Sequence, residues 1–168
     1  EFHITGLDLS APMLALARQL NPECEYLIGD MRSARLERKF EAVIAADSID
    51  YMLTEADLKA AFQTAWDHLL IGGVFCTYAE DTREHFVNNK SFCFTEEKNG
   101  IDLAFFQNYY DPDPTDTTLE KTFVYLIRRA GQLTIEHDQH ICGLFPQATW
   151  TRLLEEVGFE VEELELYD

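Results

Sequence analysis

The chain has 168 residues, 46% hydrophobic and 12% aromatic, which suffices for one domain with a packed core and excludes a disordered segment. A formal net charge of −18 argues against DNA or RNA as a partner, since such a role needs a phosphate backbone neutralised. Such acidity usually marks a solvated surface, and at a binding site it favours a neutral or cationic substrate. No apolar run approaches the roughly 18 residues that cross a bilayer, so a membrane is not expected as a partner. No signal peptide is visible, although the first residues read as the middle of a domain and leave a targeting segment open. Cys24, Cys76, Cys93 and Cys142 are scattered and form no C-x-x-C pair, which fits a reduced, cytoplasmic protein. Three of them fall in apolar runs that read as strands, where a thiol behaves as a small buried hydrophobe.

The first half alternates strand and helix. Phe2 to Leu7 reads as a buried strand ending on Asp8. Ser10 is a candidate N-cap with Pro12 in the first turn, and Met13, Leu14, Leu16, Ala17 and Leu20 give a helical apolar face that Asn21-Pro22 stops. Cys24 to Ile28 is a short strand closed by Gly29-Asp30, and Phe40 to Ala46 is another, with Asp47-Ser48 at its end. Thr54-Glu55-Ala56-Asp57 resembles a capping box and opens a helix with Leu58, Ala61, Phe62, Ala65 and Leu69 on one face. Gly72-Gly73 ends that connection and Val74 to Tyr78 is a further strand. Strands separated by helices predict a parallel sheet with right-handed crossovers.

After Tyr78 the pattern changes. Lys90 to Thr95, Ile101 to Tyr110, Thr117 to Ile127 and Leu133 to Cys142 are β-like runs joined by turn-formers such as Lys98-Asn99-Gly100 and Asp111-Pro112-Asp113-Pro114. No helix separates them, so they predict an antiparallel meander. Pro146 to Val157 returns to a helix with Trp150, Leu153, Leu154 and Val157 on its apolar face, ended by Gly158, and Phe159 to Leu166 alternates as a strand.

An acid at the carboxyl end of a parallel strand is placed to accept from two ribose hydroxyls, which makes Asp8 a nucleotide-site candidate. The plainer role for Asp8 is to complement the dipole of the helix that follows.

The order of Gly6-Leu7-Asp8-Leu9-Ser10 with Met13-Leu14, then Gly29-Asp30-Met31, Phe40-Glu41-Ala42-Val43-Ile44, Leu69-Leu70-Ile71-Gly72-Gly73-Val74 and Leu153-Leu154-Glu155-Glu156-Val157-Gly158-Phe159 resembles the class I S-adenosylmethionine-dependent methyltransferases. The resemblance runs over nearly the whole chain. With its antiparallel insertion, the sequence is similar to small bacterial members that include amino-sugar N,N-dimethyltransferases of macrolide biosynthesis. The implied fold is α/β: a Rossmann-like, mostly parallel sheet with helices on both faces, plus a four-stranded antiparallel insertion after the Val74–Tyr78 strand. Residues 1–80 and 143–168 would form the core, and residues 81–142 the insertion that covers the substrate. The family's first strand and its G-x-G-x-G turn would lie before Glu1, and its last strand after Tyr167. The expectation is therefore a fragment of a longer enzyme whose missing βα unit is on the order of 30 residues.

The resemblance implies S-adenosyl-L-methionine as cofactor, with Asp8 on the ribose and Leu9 against adenine, where plain core packing is the alternative for Leu9. Asp30 would accept from the adenine amine and the Met31 N–H would reach a ring nitrogen, although turn propensity alone also explains Gly29-Asp30. Ala46 and Asp47 would lie near the donor's sulfur and amino acid portion, or Asp47 would simply cap the next turn. Asp50, Tyr51 and Tyr78 are expected at a small-molecule acceptor, with Tyr51 and His85 the catalytic candidates; a solvated helix position is the plain alternative for His85. The Phe105-to-Tyr110 run is meander core with one or two aromatics toward a pocket. His137 and His140, three apart on a strand, point to opposite faces and predict no metal site.

The expected reaction is methyl transfer to a small molecule, nitrogen slightly ahead of oxygen, in which in-line positioning dominates. A homodimer is left open. Two rival functions stand beside it: a non-catalytic module of the same fold, and another nucleotide-binding α/β enzyme such as a dehydrogenase, against which the meander counts.

Overall fold

A computed structural model describes residues 2–164 of the chain, which divides into two compact units. The first comprises Glu1–Ile49, Glu55–Tyr78 and Thr151–Asp168; the second comprises Asp50–Thr54 and Ala79–Trp150.

In the first unit, β1 (Thr5–Asp8) pairs in parallel with β2 (Glu25–Ile28), and α1 (Ala11–Leu20) connects them. Ser10 starts α1 as expected, its Oγ accepting the Met13 N–H at 3.3 Å. A second parallel pair joins β3 (Phe40–Ala45) to β4 (Leu69–Thr77) through α2 (Glu55–Asp67). Among the described residues these remain two separate two-stranded sheets. The core lies where α2 buries Leu58, Ala61, Phe62 and Ala65, and Phe75 sits 5.8 Å from Phe62 and 5.5 Å from Phe159 between ring centroids.

The second unit is a meander of β5 (Lys90–Lys98), β6 (Ile101–Tyr110), β7 (Thr118–Arg129) and β8 (Gln132–Gly143) in sequential antiparallel order. Asn99 and Gly100 both take positive φ (54° and 74°), the conformation of a two-residue hairpin turn. Asp111 and Asp113 shape the longer β6–β7 connection, each carboxylate accepting a backbone N–H two residues on at 2.9 Å. Tyr109, Leu119, Cys142 and Leu144 form its buried cluster. The final helix, α3 (Gln147–Val157), stops at Gly158, whose φ of 124° suits only glycine.

The α/β class and the antiparallel sheet are as the sequence predicts, and several details are not. β1 begins at Thr5, leaving Phe2 92% exposed, because no described side chain covers it. Of the apolar face assigned to α1 only Leu14 is buried; Met13, Leu16 and Leu20 are exposed. Leu69 leaves the helix pattern, since α2 stops at Asp67 and β4 opens two residues later. That strand takes in Gly72-Gly73 by bulging: Phe40 faces Leu69, yet Ala42 already faces Val74. Cys76 and Cys93 are exposed rather than buried: Cys76 falls on the exposed alternate positions of β4, and every residue of β5 is exposed. Residues 159–164 pair with no strand among the described residues, and the end of the predicted Phe159–Leu166 strand lies outside them.

The β7–β8 hairpin turns on Ala130 (φ 49°) and Gly131 (φ 78°). A left-handed alanine costs about 1–2 kcal/mol, more than the ~0.5–1 kcal/mol of extra backbone entropy a glycine would lose. Ala130→Gly is therefore expected to raise stability by about 0.5–1 kcal/mol, read as a higher urea midpoint; an unchanged or lower midpoint contradicts it.

Candidate active site

β1 delivers Asp8 to its carboxyl end, where Asp8 Oδ1 accepts the Ser10 N–H at 2.7 Å. Its second carboxylate oxygen takes no hydrogen bond from the described residues, so it remains able to accept from a hydroxyl. Leu9 beside it is 67% exposed, an apolar side chain turned outward at a polar site rather than packed in the core.

Asp30 stands differently. Its carboxylate receives Arg32 Nε at 3.1 Å on each oxygen, Nη2 at 2.7 Å and the Arg32 backbone N–H at 2.8 Å. These hydrogen bonds hold the Asp30 carboxyl below its ordinary range. Arg32 also bonds Asp57 at 2.9 Å, so an adenine amine would have to compete with a doubly anchored guanidinium. Met31 is half-buried between them in sequence. Past β3, the exposed Ala46 accepts the Ile49 N–H at 2.9 Å as a short 3₁₀ turn opens over Asp47–Tyr51. The Tyr78 hydroxyl donates to Asp47, bringing together a predicted cofactor residue and a predicted acceptor residue.

In the second unit, Asp50 and Tyr51 enter a polar cluster on one face of the meander. Tyr109, Lys121 and His140 are register partners across β6, β7 and β8, so their side chains share that face. Lys121 is only 4% exposed, and its Nζ donates to Asp50 Oδ2 at 2.9 Å and Glu80 Oε2 at 2.6 Å. It also lies 5.2 Å from the centroid of the Tyr109 ring. The Tyr109 hydroxyl donates to Glu80 Oε1 at 2.7 Å and accepts from Gln107 Nε2 at 2.6 Å. Segment 50–54 is fastened further along: Thr117 Oγ1 donates to the Leu53 carbonyl at 2.7 Å, and a Cβ at Gly143 would overlap the Met52 carbonyl.

Burial pushes the Asp50 carboxyl up to about 6 against the opposing pull of Lys121. Burial acts to raise Glu80 too, but hydrogen bonds from Lys121 and Tyr109 outweigh it and bring it below its ordinary value. Burial would lower Lys121; its two carboxylate partners overcome that and raise it.

The Tyr51 hydroxyl meets His140 Nδ1, and His140 Nε2 lies 3.2 Å from Asp138 Oδ2. His85 sits exposed in a turn rather than a helix, with its Nδ1 3.0 Å from Thr82 Oγ1. The sequence reading missed Lys121, Glu80 and Asp138, and took Tyr109 only as part of the aromatic Phe105-to-Tyr110 run. One signal was available: Leu119, Lys121, Phe123, Tyr125 and Ile127 share a strand face, and a lysine inside that apolar alternation needs buried partners.

Residues 1–73 match a methyltransferase domain family. Over 163 residues the chain is 31% identical to the dTDP-3-amino-3,4,6-trideoxy-alpha-D-glucopyranose N,N-dimethyltransferase of Streptomyces venezuelae, covering 95% of this chain and 67% of that protein. It is 29% identical over 160 residues to the dTDP-3-amino-3,6-dideoxy-alpha-D-glucopyranose N,N-dimethyltransferase of Streptomyces fradiae, covering 95% of this chain and 62% of that protein. Among solved structures, Streptomyces venezuelae DesVI superposes with a TM-score of 0.90 at 29% identity, covering 96% of this chain and 68% of that one.

The elevated Asp50 value has a definite sign. Between about pH 4, where an unfolded aspartate titrates, and about pH 6, the folded state binds more protons, so this group's contribution to stability falls as pH rises. Lys121→Met should sharpen that trend by leaving an unpaired buried carboxylate, with a loss of about 3 kcal/mol at pH 8 that shrinks toward pH 5. Urea unfolding across that range checks it; a loss independent of pH contradicts it.

Proposed function

The chain belongs to the class I S-adenosylmethionine-dependent methyltransferases, and from that premise we propose that it serves N-methylation of an amino sugar carried on a nucleotide. The observation that carries the reading is Asp8 at the end of β1, with an oxygen open to a donor beside the outward-facing Leu9. S-adenosyl-L-methionine, when bound, supplies an electrophilic methyl group. Asp8 would hold its ribose, and Leu9 would cover a face of its adenine.

Acceptor recognition is assigned to the antiparallel unit. The relatives' amino-sugar acceptors support a nitrogen nucleophile, as does the carboxylate excess of Asp50 and Glu80 over Lys121, which favours a cationic amine. Tyr51, 47% exposed, is the side chain that would meet that nitrogen. The chain spans 62% of the Streptomyces fradiae relative and 67% of the Streptomyces venezuelae one, and the activity proposed is that of the whole enzyme.

A second reading, a binding module that keeps the fold without turnover, draws on the saturation of Asp30 by Arg32. Calorimetry of the full-length protein with S-adenosylhomocysteine separates the two, since the module should give no binding heat. Asp8→Ala is expected to weaken that binding by about 1.5–3 kcal/mol, the range for hydrogen bonds to a charged group. An unchanged affinity removes Asp8 from the site.

A further inference from the structure

We propose that Tyr51, His140 and Asp138 form a proton relay that converts the acceptor's ammonium into the free amine that accepts a methyl group. The proposal rests on the N-methylating reading above. A nitrogen lone pair that holds a proton cannot attack carbon. A sugar amine is largely protonated at neutral pH, and each methyl transfer leaves the nitrogen protonated again, so dimethylation calls on such a relay twice.

The geometry supplies the parts in order. Asp138 and His140 are two residues apart on β8 and therefore face the same way. The Asp138 carboxylate is fixed on its far side by the Gln139 N–H, 2.9 Å from Oδ1, and its Oδ2 lies 3.2 Å from His140 Nε2. That contact holds a proton on Nε2 and turns Nδ1 into the acceptor of the Tyr51 hydroxyl. Phe123 packs edge-on to the imidazole at 5.0 Å and 82°, which limits its rotation. The phenol is 47% exposed, so its oxygen can take a hydrogen bond from an incoming ammonium.

The charged and titratable groups around the pair come from every neighbouring element. Lys121 faces His140 from β7 and is neutralised by Asp50 and Glu80. Asp50 adjoins Tyr51 in the 3₁₀ turn, and Cys142 and Asp138 lie on β8. Burial pushes the Cys142 thiol up to about 11, which keeps it neutral, and loss of solvation raises Tyr51, which keeps the phenol protonated between turnovers. His137 pairs with Val124 on the opposite face, and its field adds to those that hold the Asp138 carboxyl low.

The transfer balances. The ammonium N–H bond breaks and its proton bonds to Tyr51 Oη while the phenol's own proton moves to His140 Nδ1. The positive charge passes to the imidazolium beside Asp138, and solvent later removes the proton. Tyr51 is the catalytic residue; His140 and Asp138 act through it as positioning and relay residues.

The test uses the full-length protein with dTDP-3-amino-3,6-dideoxyglucose as probe, with kcat/KM and the ratio of mono- to dimethylated sugar followed from pH 5.5 to 9. Nitrogen NMR of the imidazoles supplies a readout independent of turnover. We expect His140 to carry its proton on Nε2, with a titration that coincides with the acid limb of the rate profile and moves in Tyr51→Phe. His140→Gln and Tyr51→Phe should each lose roughly 100-fold at neutral pH, displace the acid limb upward and accumulate the monomethylated sugar. The double variant should be no slower than either. A proton found on Nδ1 overturns the relay, as does a wild-type pH profile and product ratio in the variants, whatever their absolute rate. An inactive wild type overturns the N-methylating reading and the relay together, whereas an active wild type with undisturbed variants overturns the relay alone.

Discussion

The antiparallel unit is organised around one buried cation. Removing the Lys121 ammonium from water costs several kcal/mol, and the sheet tolerates it only because two carboxylates and an aromatic face surround it. One of those carboxylates, Asp50, belongs to a segment distant in sequence. The ion pair therefore selects a chain path as much as it contributes stability. With Asp50 docked on β7, the adjoining Tyr51 reaches His140, and Met52 lies against a position on β8 that only glycine can occupy. The other carboxylate, Glu80, is held by Tyr109 from β6, so strands β6 and β7 share the same charge network. Where a fold spends a buried charge in this way, conformational specificity is the best-attested return.

The parts legible in the sequence were those decided locally. Ser10 capping α1, the Asn99-Gly100 turn and the alternation of β6 and β7 each follow from the chemistry of neighbouring residues. Leu69 was misplaced because an apolar residue at helical spacing is equally apolar at the start of a strand, and only the pairing with Phe40 decides between them. The Met13, Leu16 and Leu20 face of α1 satisfies the helical pattern yet remains exposed, since periodicity reports what a helix can bury rather than what covers it.

The site divides along the same line. Asp8, Tyr51 and Tyr78 could be singled out because each stands at a strand end or in the segment after one. Arg32 could not be foreseen as the partner of both Asp30 and Asp57, nor Lys121 as the partner of Asp50, because such pairs depend on tertiary distance. His140 shows the limit best. Its three-residue spacing from His137 puts the two imidazoles on opposite faces of β8, whereas Asp138 stands at the even spacing that keeps two strand residues on one face.

Charge ties these observations to the chemistry proposed. An acceptor amine approaching the cluster meets Asp50, Glu80 and Asp138 against one buried lysine, a field that draws an ammonium in. The same field stabilises the ammonium over the free base, and so opposes the deprotonation that methyl transfer requires. Attraction and reactivity thus set contrary demands on one patch of surface. A base adjacent to the carboxylates resolves the conflict by moving the positive charge instead of cancelling it: the charge leaves the nitrogen, settles on the imidazole and keeps Asp138 as its counter-ion. In this arrangement an acidic site can bind a cation and still release a nucleophile, and the surplus of carboxylates becomes part of the mechanism rather than an obstacle to it.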